Sequence, residues 1–368
     1  MKKNIMNEAL FQIKNHKHLI ILGIYLILLS LASFYFFDKT QGDTISYLDS
    51  IQFLQTGISS SGFTANRILT TFGGLQAIIL LSNVFSSITV GWFILNHLLF
   101  FLSCFVIYRI LFLLFDDKNT SLVGVLFFAG SYATINFGLA YILDMGGWAF
   151  YIFSLYFCFK YILEQNRKYI LFASILVGVG TLFKEYAALG SLAVCLSLVF
   201  VHRKSFINLL KNSLLPIILG SFPILILYIW AYFTLDYTYL DWFATNDNLY
   251  SYSFTDRIIE YIKSFGSLFN ILGILFIFGL YALGSKWGTL DTDIKAFLVI
   301  TAISFLPIFF WPAVTQRILF VTMPFVVIVA SFFINKFEKK WIFIPALLVY
   351  VFLSFMTDYL LYTVNLPF

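Results

Sequence analysis

Residues 41–57, QGDTISYLDSIQFLQTG, are the first polar stretch after an apolar run spanning residues 18–37. Within them Ile45, Leu48, Ile51, Phe53 and Leu54 recur at near-helical spacing. A short amphipathic segment that directly follows a membrane span is expected to lie along the membrane surface as an interfacial helix. Its opening pair, Gly42-Asp43, puts a carboxylate where the chain leaves the lipid. Asp is also a favoured N-cap residue, so Asp43 has a structural reading beside a chemical one, and the two are compatible.

The whole chain has the composition that this start implies. Of its 368 residues 61% are hydrophobic, 20% aromatic and only 11% charged. That balance excludes a soluble globular protein and points to an all-α polytopic membrane protein. Cys104, Cys158 and Cys195 all lie in apolar runs without a CxxC pattern, and read as small core residues. The histidines, His16, His18, His97 and His202, are scattered and support neither a metal site nor a Ser/His/Asp arrangement. The net charge of +5 carries no nucleic-acid reading, because in a membrane protein the side on which charges lie matters more than their sum.

Hydropathy places eleven spans at 18–37, 88–113, 120–140, 147–163, 169–183, 187–201, 213–235, 266–284, 295–311, 317–335 and 341–360. With the N-terminus inside, 17 of the 23 Lys and Arg residues fall on the cytoplasmic side and 6 outside. The positive-inside rule thus predicts an N-in, C-out protein of the plasma (inner) membrane. Ser30-Leu31-Ala32 resembles a signal-peptidase site, but the apolar run continues through Phe37, so the first span is expected to be a retained anchor. The first extracytoplasmic loop, 38–87, contains the 43–56 helix, a break at SSSGF (59–63), and a second apolar run, 73–85, too short to span and also expected to be interfacial. No soluble domain or internal repeat is evident, so residues 1–368 read as one membrane domain.

The carboxylates lean the other way, with 11 of the 18 Asp and Glu residues outside. In this topology Asp43, Asp49, Arg67, Asp144, Lys184, Glu185 and Arg317 collect on one side from separate loops or span ends. Lys184-Glu185 stands out, because the arms 169–183 and 187–201 are shorter than the roughly 20 residues needed to cross about 30 Å of hydrocarbon. The pair should therefore be recessed in protein or in a wet pocket, where charges are costly and usually functional; a snorkelling lysine beside a paired glutamate is the plainer alternative. Basic residues facing carboxylates suit transfer of a group from an anionic lipid, the cations holding a phosphate and a carboxylate taking a proton from a hydroxyl. The other sizeable outer loop, 236–265, carries Trp242, Phe243 and several tyrosines, suited to an interfacial belt or to stacking on sugar rings.

These motifs resemble the GT-C superfamily of polyprenyl-phosphate-sugar-dependent glycosyltransferases, which includes protein O-mannosyltransferases and the lipid A aminoarabinose transferase. The resemblance rests on Gly42-Asp43 with Tyr47, on Arg67, on Asp144 in YILDMGGWAF, on VGVGTLFKEYAAL at 177–189, and on TQRILFVTMPFVVIVA at 315–330. It implies an inverting membrane glycosyltransferase, with residues 18–201 as the catalytic module and 202–368 as more variable helices that include the carrier-lipid site. Asp43 would be the general base, and Asp144 would orient the acceptor. Arg67, Lys184 and Arg317 would bind the donor phosphate, while Tyr47, Glu185 and Trp242 would contact substrate. Many relatives have two adjacent acidic residues where this chain has Asp43-Thr44, so a divalent cation (Mg or Mn) would need Asp43 together with Asp144 or Asp49. The implied partners are a polyprenyl-phosphate-linked sugar, the bilayer, and a lipid, glycan or protein acceptor. A lipid-linked saccharide flippase, which should carry midplane charges and repeats, and a polysaccharide polymerase are the alternatives.

Overall fold

The computed structural model describes residues 2–58, 64–249 and 252–362. Among them it contains helices and no strand. Helices α1 (Lys2–Phe36) and α2 (Thr44–Thr56) bracket the Asp43 turn. Then come α3 (Thr64–Phe85), α4 (Ile88–Phe115), α5 (Lys118–Ala129), α6 (Asp144–Glu164), α7 (Arg167–Phe183) and α8 (Leu189–His202). The second half comprises α9 (Phe206–Leu235), α10 (Tyr239–Leu249), α11 (Phe254–Lys286), α12 (Thr292–Ser304), α13 (Gln316–Leu319), α14 (Met323–Ile334) and α15 (Ile344–Tyr362). Helix starts follow local chemistry: the side chains of Ser87, Asp117, Asn166, Ser205, Ser253 and Thr315 each accept a backbone N–H in the first turn of the helix that follows. Helix α2 stops at Gly57, whose φ of +75° is the left-handed conformation glycine adopts without a Cβ penalty. The expected break at 59–63 lies outside the described residues.

Ten segments among the described residues are long and apolar enough to cross a membrane. Their distribution differs from the eleven expected spans in three places, at 64–85, at 120–140 and at 169–183. The 73–85 run, expected to be an interfacial piece, is the second part of the 22-residue α3, which bends at Thr71 (φ −143°, ψ 20°). Residues 64–72 lead into it, and at the bend Thr70 and Thr71 return their hydroxyls to carbonyls one turn back, a pattern that bends helices and that hydropathy does not register. The expected span 120–140 is interrupted: α5 ends at Ala129 and a five-residue π-helical turn covers Thr134–Gly138. Ser131, Thr134 and Asn136 are buried there, and Ser131 and Thr134 hydrogen-bond each other at 2.8 Å. Helix α7 has 17 residues, short for a span as its composition indicated, and packs between α3, α6 and α9.

The surface helix α2 also divides differently from its apolar pattern. Tyr47, Ser50 and Ile51 are buried, whereas Ile45 and Leu48 are exposed to the surroundings. The helix thus packs one face on the protein and leaves an apolar edge free for lipid.

The centre of the molecule is α6 and the 316–334 segment. Phe159 of α6 stacks on Phe297 of α12 with centroids 4.1 Å apart, and the Tyr151 hydroxyl meets Ser304 at 2.7 Å. One turn after Asp144, Trp148 meets Phe320 at 4.2 Å, and Phe320 lies three residues after Arg317. This buried ring contact fixes the axial register between the start of α6 and α13.

Candidate active site

Asp43 sits at the N-cap position of α2, but its carboxylate makes no capping bond. Thr44 holds the turn instead, accepting from the Gln41 amide and donating to the Tyr141 carbonyl. The Asp43 carboxylate is therefore free to turn towards two arginines. Arg67 Nη2 donates to Asp43 Oδ1 at 2.6 Å, while Arg317 Nη1 and Nη2 donate to Oδ2 at 3.0 Å each.

Asp144 opens α6 and is fully buried. It grips the other side of the Arg317 guanidinium, accepting from Nε at 2.5 Å and from Nη2 at 3.3 Å. A fork-on-carboxylate pair of this kind is strong and geometrically specific. The next turn of α6 has Gly146 and Gly147 because α7 approaches closely: a Cβ on Gly147 would stand 2.7 Å from the Lys184 Cβ. Lys184, at the break between α7 and the Glu185–Ala188 turn, is buried. Its ammonium lies 3.3 Å from the Tyr47 hydroxyl and 3.4 Å from Glu185 Oε2. The Arg67 guanidinium carbon lies 5.0 Å from the centre of the Tyr47 ring, a cation–π contact that helps hold both residues.

These groups surround a cavity of about 320 Å³. Asp43, Arg67, Lys184, Glu185, Trp242 and Arg317 line it. Tyr47 and Asp144 stand behind the wall and position Lys184 and Arg317. All eight residues expected from the sequence thus come together. Asp49 does not join them; its carboxylate accepts from Thr64. Tyr186, Trp311, Asn66, Ser46 and Thr315 also line the cavity and were not foreseen. Tyr186 adjoins Lys184-Glu185 in sequence, which offered a signal, whereas Trp311 sits in an apolar run that reads as membrane. Trp242 and Trp311 face each other at 4.7 Å across the mouth. Helix α10, which carries Trp242, and the turn before it are anchored on α3 by Tyr237 to Asn66 and by Tyr239 to the Leu69 carbonyl, both at 3.4 Å.

A second cavity of about 580 Å³ adjoins the first, sharing Glu185, Tyr186, Trp242 and Trp311. Its remaining lining is Ala188, Leu189, Ser191, Leu192, Cys195, Pro307 and Ile308, almost wholly apolar.

Three cations, Arg67, Lys184 and Arg317, oppose three carboxylates, Asp43, Asp144 and Glu185. Burial pushes the Asp43 carboxyl up, but the attraction of Arg67, Arg317 and Lys184 outweighs it and holds the pKa below the usual carboxylate value. As arranged, Asp43 and Asp144 do not fit a resident divalent cation. Every oxygen of both already accepts from a guanidinium, and no group of three acidic, His or Cys ligands exists among the described residues. A cation held by Asp43 with Asp49 finds no support either, since Asp49 pairs with Thr64.

Residues 73–232 match the model of the dolichyl-phosphate-mannose-protein mannosyltransferase family. The match includes Asp144, Lys184 and Glu185, while Asp43, Arg67, Trp242 and Arg317 lie outside it and join the site through the fold. No curated protein matches the chain. The match covers less than half of the chain; with the bundle of apolar helices it shows a polytopic membrane protein whose central part is similar to that family.

Proposed function

We propose that the enzyme transfers a sugar, with inversion, from polyprenyl phosphate to a hydroxyl acceptor on the extracytoplasmic face of the membrane. The observation that carries this reading is the pair of joined cavities, one lined by three cations and two carboxylates and the other apolar. A polyprenyl-phosphate sugar has that same division. Its tail fits the groove along Leu189, Leu192, Pro307 and Ile308, its phosphate meets Arg67, Lys184 and Arg317, and its sugar lies against Trp242 and Trp311.

In the reaction the acceptor oxygen attacks the anomeric carbon as Asp43 takes the hydroxyl proton. The bond from that carbon to the phosphate oxygen breaks, and its electron pair stays on the phosphate. The diester monoanion thereby becomes a monoester that gains a second negative charge. Cations already fixed around the phosphate stabilise that developing charge without reorganising. Asp144 acts through Arg317, keeping the guanidinium in place. Residues 1–368 serve this chemistry as one membrane unit with its N-terminus cytoplasmic.

Purified enzyme given a polyprenyl-phosphate sugar should release polyprenyl phosphate only when an acceptor is present, and proton NMR of the product should give the anomeric configuration opposite to the donor's. Release without an acceptor-linked product would remove the reading, as would retention of configuration its inverting step. The sidedness has its own test. An impermeant maleimide added outside intact cells should label Asn246→Cys and spare Lys339→Cys. The reverse pattern would put Asp43 in the cytoplasm.

A further inference from the structure

Arg317 is nearly used up before any substrate arrives. A guanidinium has five N–H groups, and Arg317 donates to Asp43 and Asp144 through four hydrogen bonds. A donor phosphate therefore cannot be held by the Arg317 fork unless one carboxylate lets go. The two carboxylates are not equivalent. The Asp144 side chain is 0% exposed and that of Asp43 28%. Stripping Asp144 would leave a buried, unpaired charge, which is strongly unfavourable. Asp43 has water on one side and keeps Arg67 on its Oδ1. The Arg317–Asp43 contact is therefore the one that yields.

We propose that donor binding unlocks the base: the phosphate takes Arg317 Nη1 and Nη2 from Asp43, Asp144 retains Nε, and the freed Asp43 Oδ2 receives the acceptor hydroxyl. This rests on the reading of the cavity as a polyprenyl-phosphate site and deepens it by setting an order, donor before acceptor. Until the donor is seated both oxygens of the base are occupied. A hydroxyl that enters first meets a carboxylate whose charge is already shared between two guanidinium groups, and so a weaker base. After transfer the more highly charged product holds Arg317 until it leaves, and Asp43 then recaptures the guanidinium. Asp43 thus has two roles, proton acceptor for one substrate and competitor for the binding group of the other.

The competition gives a result that a simple contact residue would not. Full-length enzyme in nanodiscs, titrated with sugar-free polyprenyl phosphate and followed by isothermal titration calorimetry, should bind more tightly as Asp43→Asn than as wild type. Loss of one charge-assisted partner corresponds to about a tenfold gain. Asp43→Ala should behave alike, thermal melting checking that both variants are folded. Asp49→Asn, which removes a carboxylate from the same helix away from Arg317, should bind as wild type does. Unchanged or weaker binding by the folded Asp43 variants, with the wild type binding normally, would overturn the exchange alone. An equal gain in Asp49→Asn would reduce it to a general loss of negative charge and overturn it too. No saturable binding by the wild type would overturn the donor reading beneath it.

Discussion

Asp43→Asn is expected to lower turnover by about 10²–10⁴-fold, the usual contribution of a positioned general base. The substitution preserves side-chain size and the turn that starts α2, because Thr44 rather than Asp43 holds that turn. The helix should persist, and circular dichroism with thermal melting would establish it. Asp49→Asn is the control, two turns along the same helix and outside the cavity. It should cost far less turnover. Equal losses in the two variants would assign the effect to the negative field of the loop, and full activity in Asp43→Asn would remove Asp43 from the mechanism. The split between constants is as informative as the loss. A lost base lowers kcat, whereas the donor KM should stay level or fall, because Arg317 no longer has to leave Asp43.

That prediction also separates what was legible in the chain from what was not. The grouping was legible, since the distribution of Lys, Arg, Asp and Glu along the apolar runs drew Asp43, Arg67, Asp144, Lys184, Glu185 and Arg317 together, and the structure gathers the same six. The shortness of the arms around Lys184-Glu185 was legible too, and Lys184 is indeed buried. The partners were not. Arg67 and Arg317 are 250 positions apart, and their meeting at Asp43 depends on the bend at Thr71 and on the Trp148–Phe320 contact that sets the register of α6 against α13. Neither device has a periodic signature. The apolar half of the site was hidden for another reason. Leu189, Leu192, Pro307 and Ile308 line a groove, yet in sequence they resemble any lipid-facing residues of a span. The same blindness made 73–85 look like an isolated short run when it continues a helix that starts at Thr64.

Arg317 should give the other large effect, and two variants are needed to resolve it because the residue serves stability and chemistry together. Arg317→Ala leaves the fully buried Asp144 carboxylate without its fork, a change that typically costs about 3–5 kcal/mol. The variant should melt well below the wild type in detergent, and its loss of activity alone would prove little. Arg317→Gln combined with Asp144→Asn removes both charges and leaves neutral groups able to hydrogen-bond, so most of the thermal stability should return. Turnover should not return. Preorganised cations at a developing phosphate charge are worth about 10²–10³-fold each, and an amide supplies neither the charge nor the fork. Arg317→Lys should fall between, folded and charged but with a raised donor KM, since a point charge cannot span the carboxylate of Asp144 and a phosphate at once. Wild-type turnover in the neutral double variant would show that Arg317 only anchors the start of α13 against α6, while wild-type stability in Arg317→Ala would show that the buried carboxylate has another way to lose its charge.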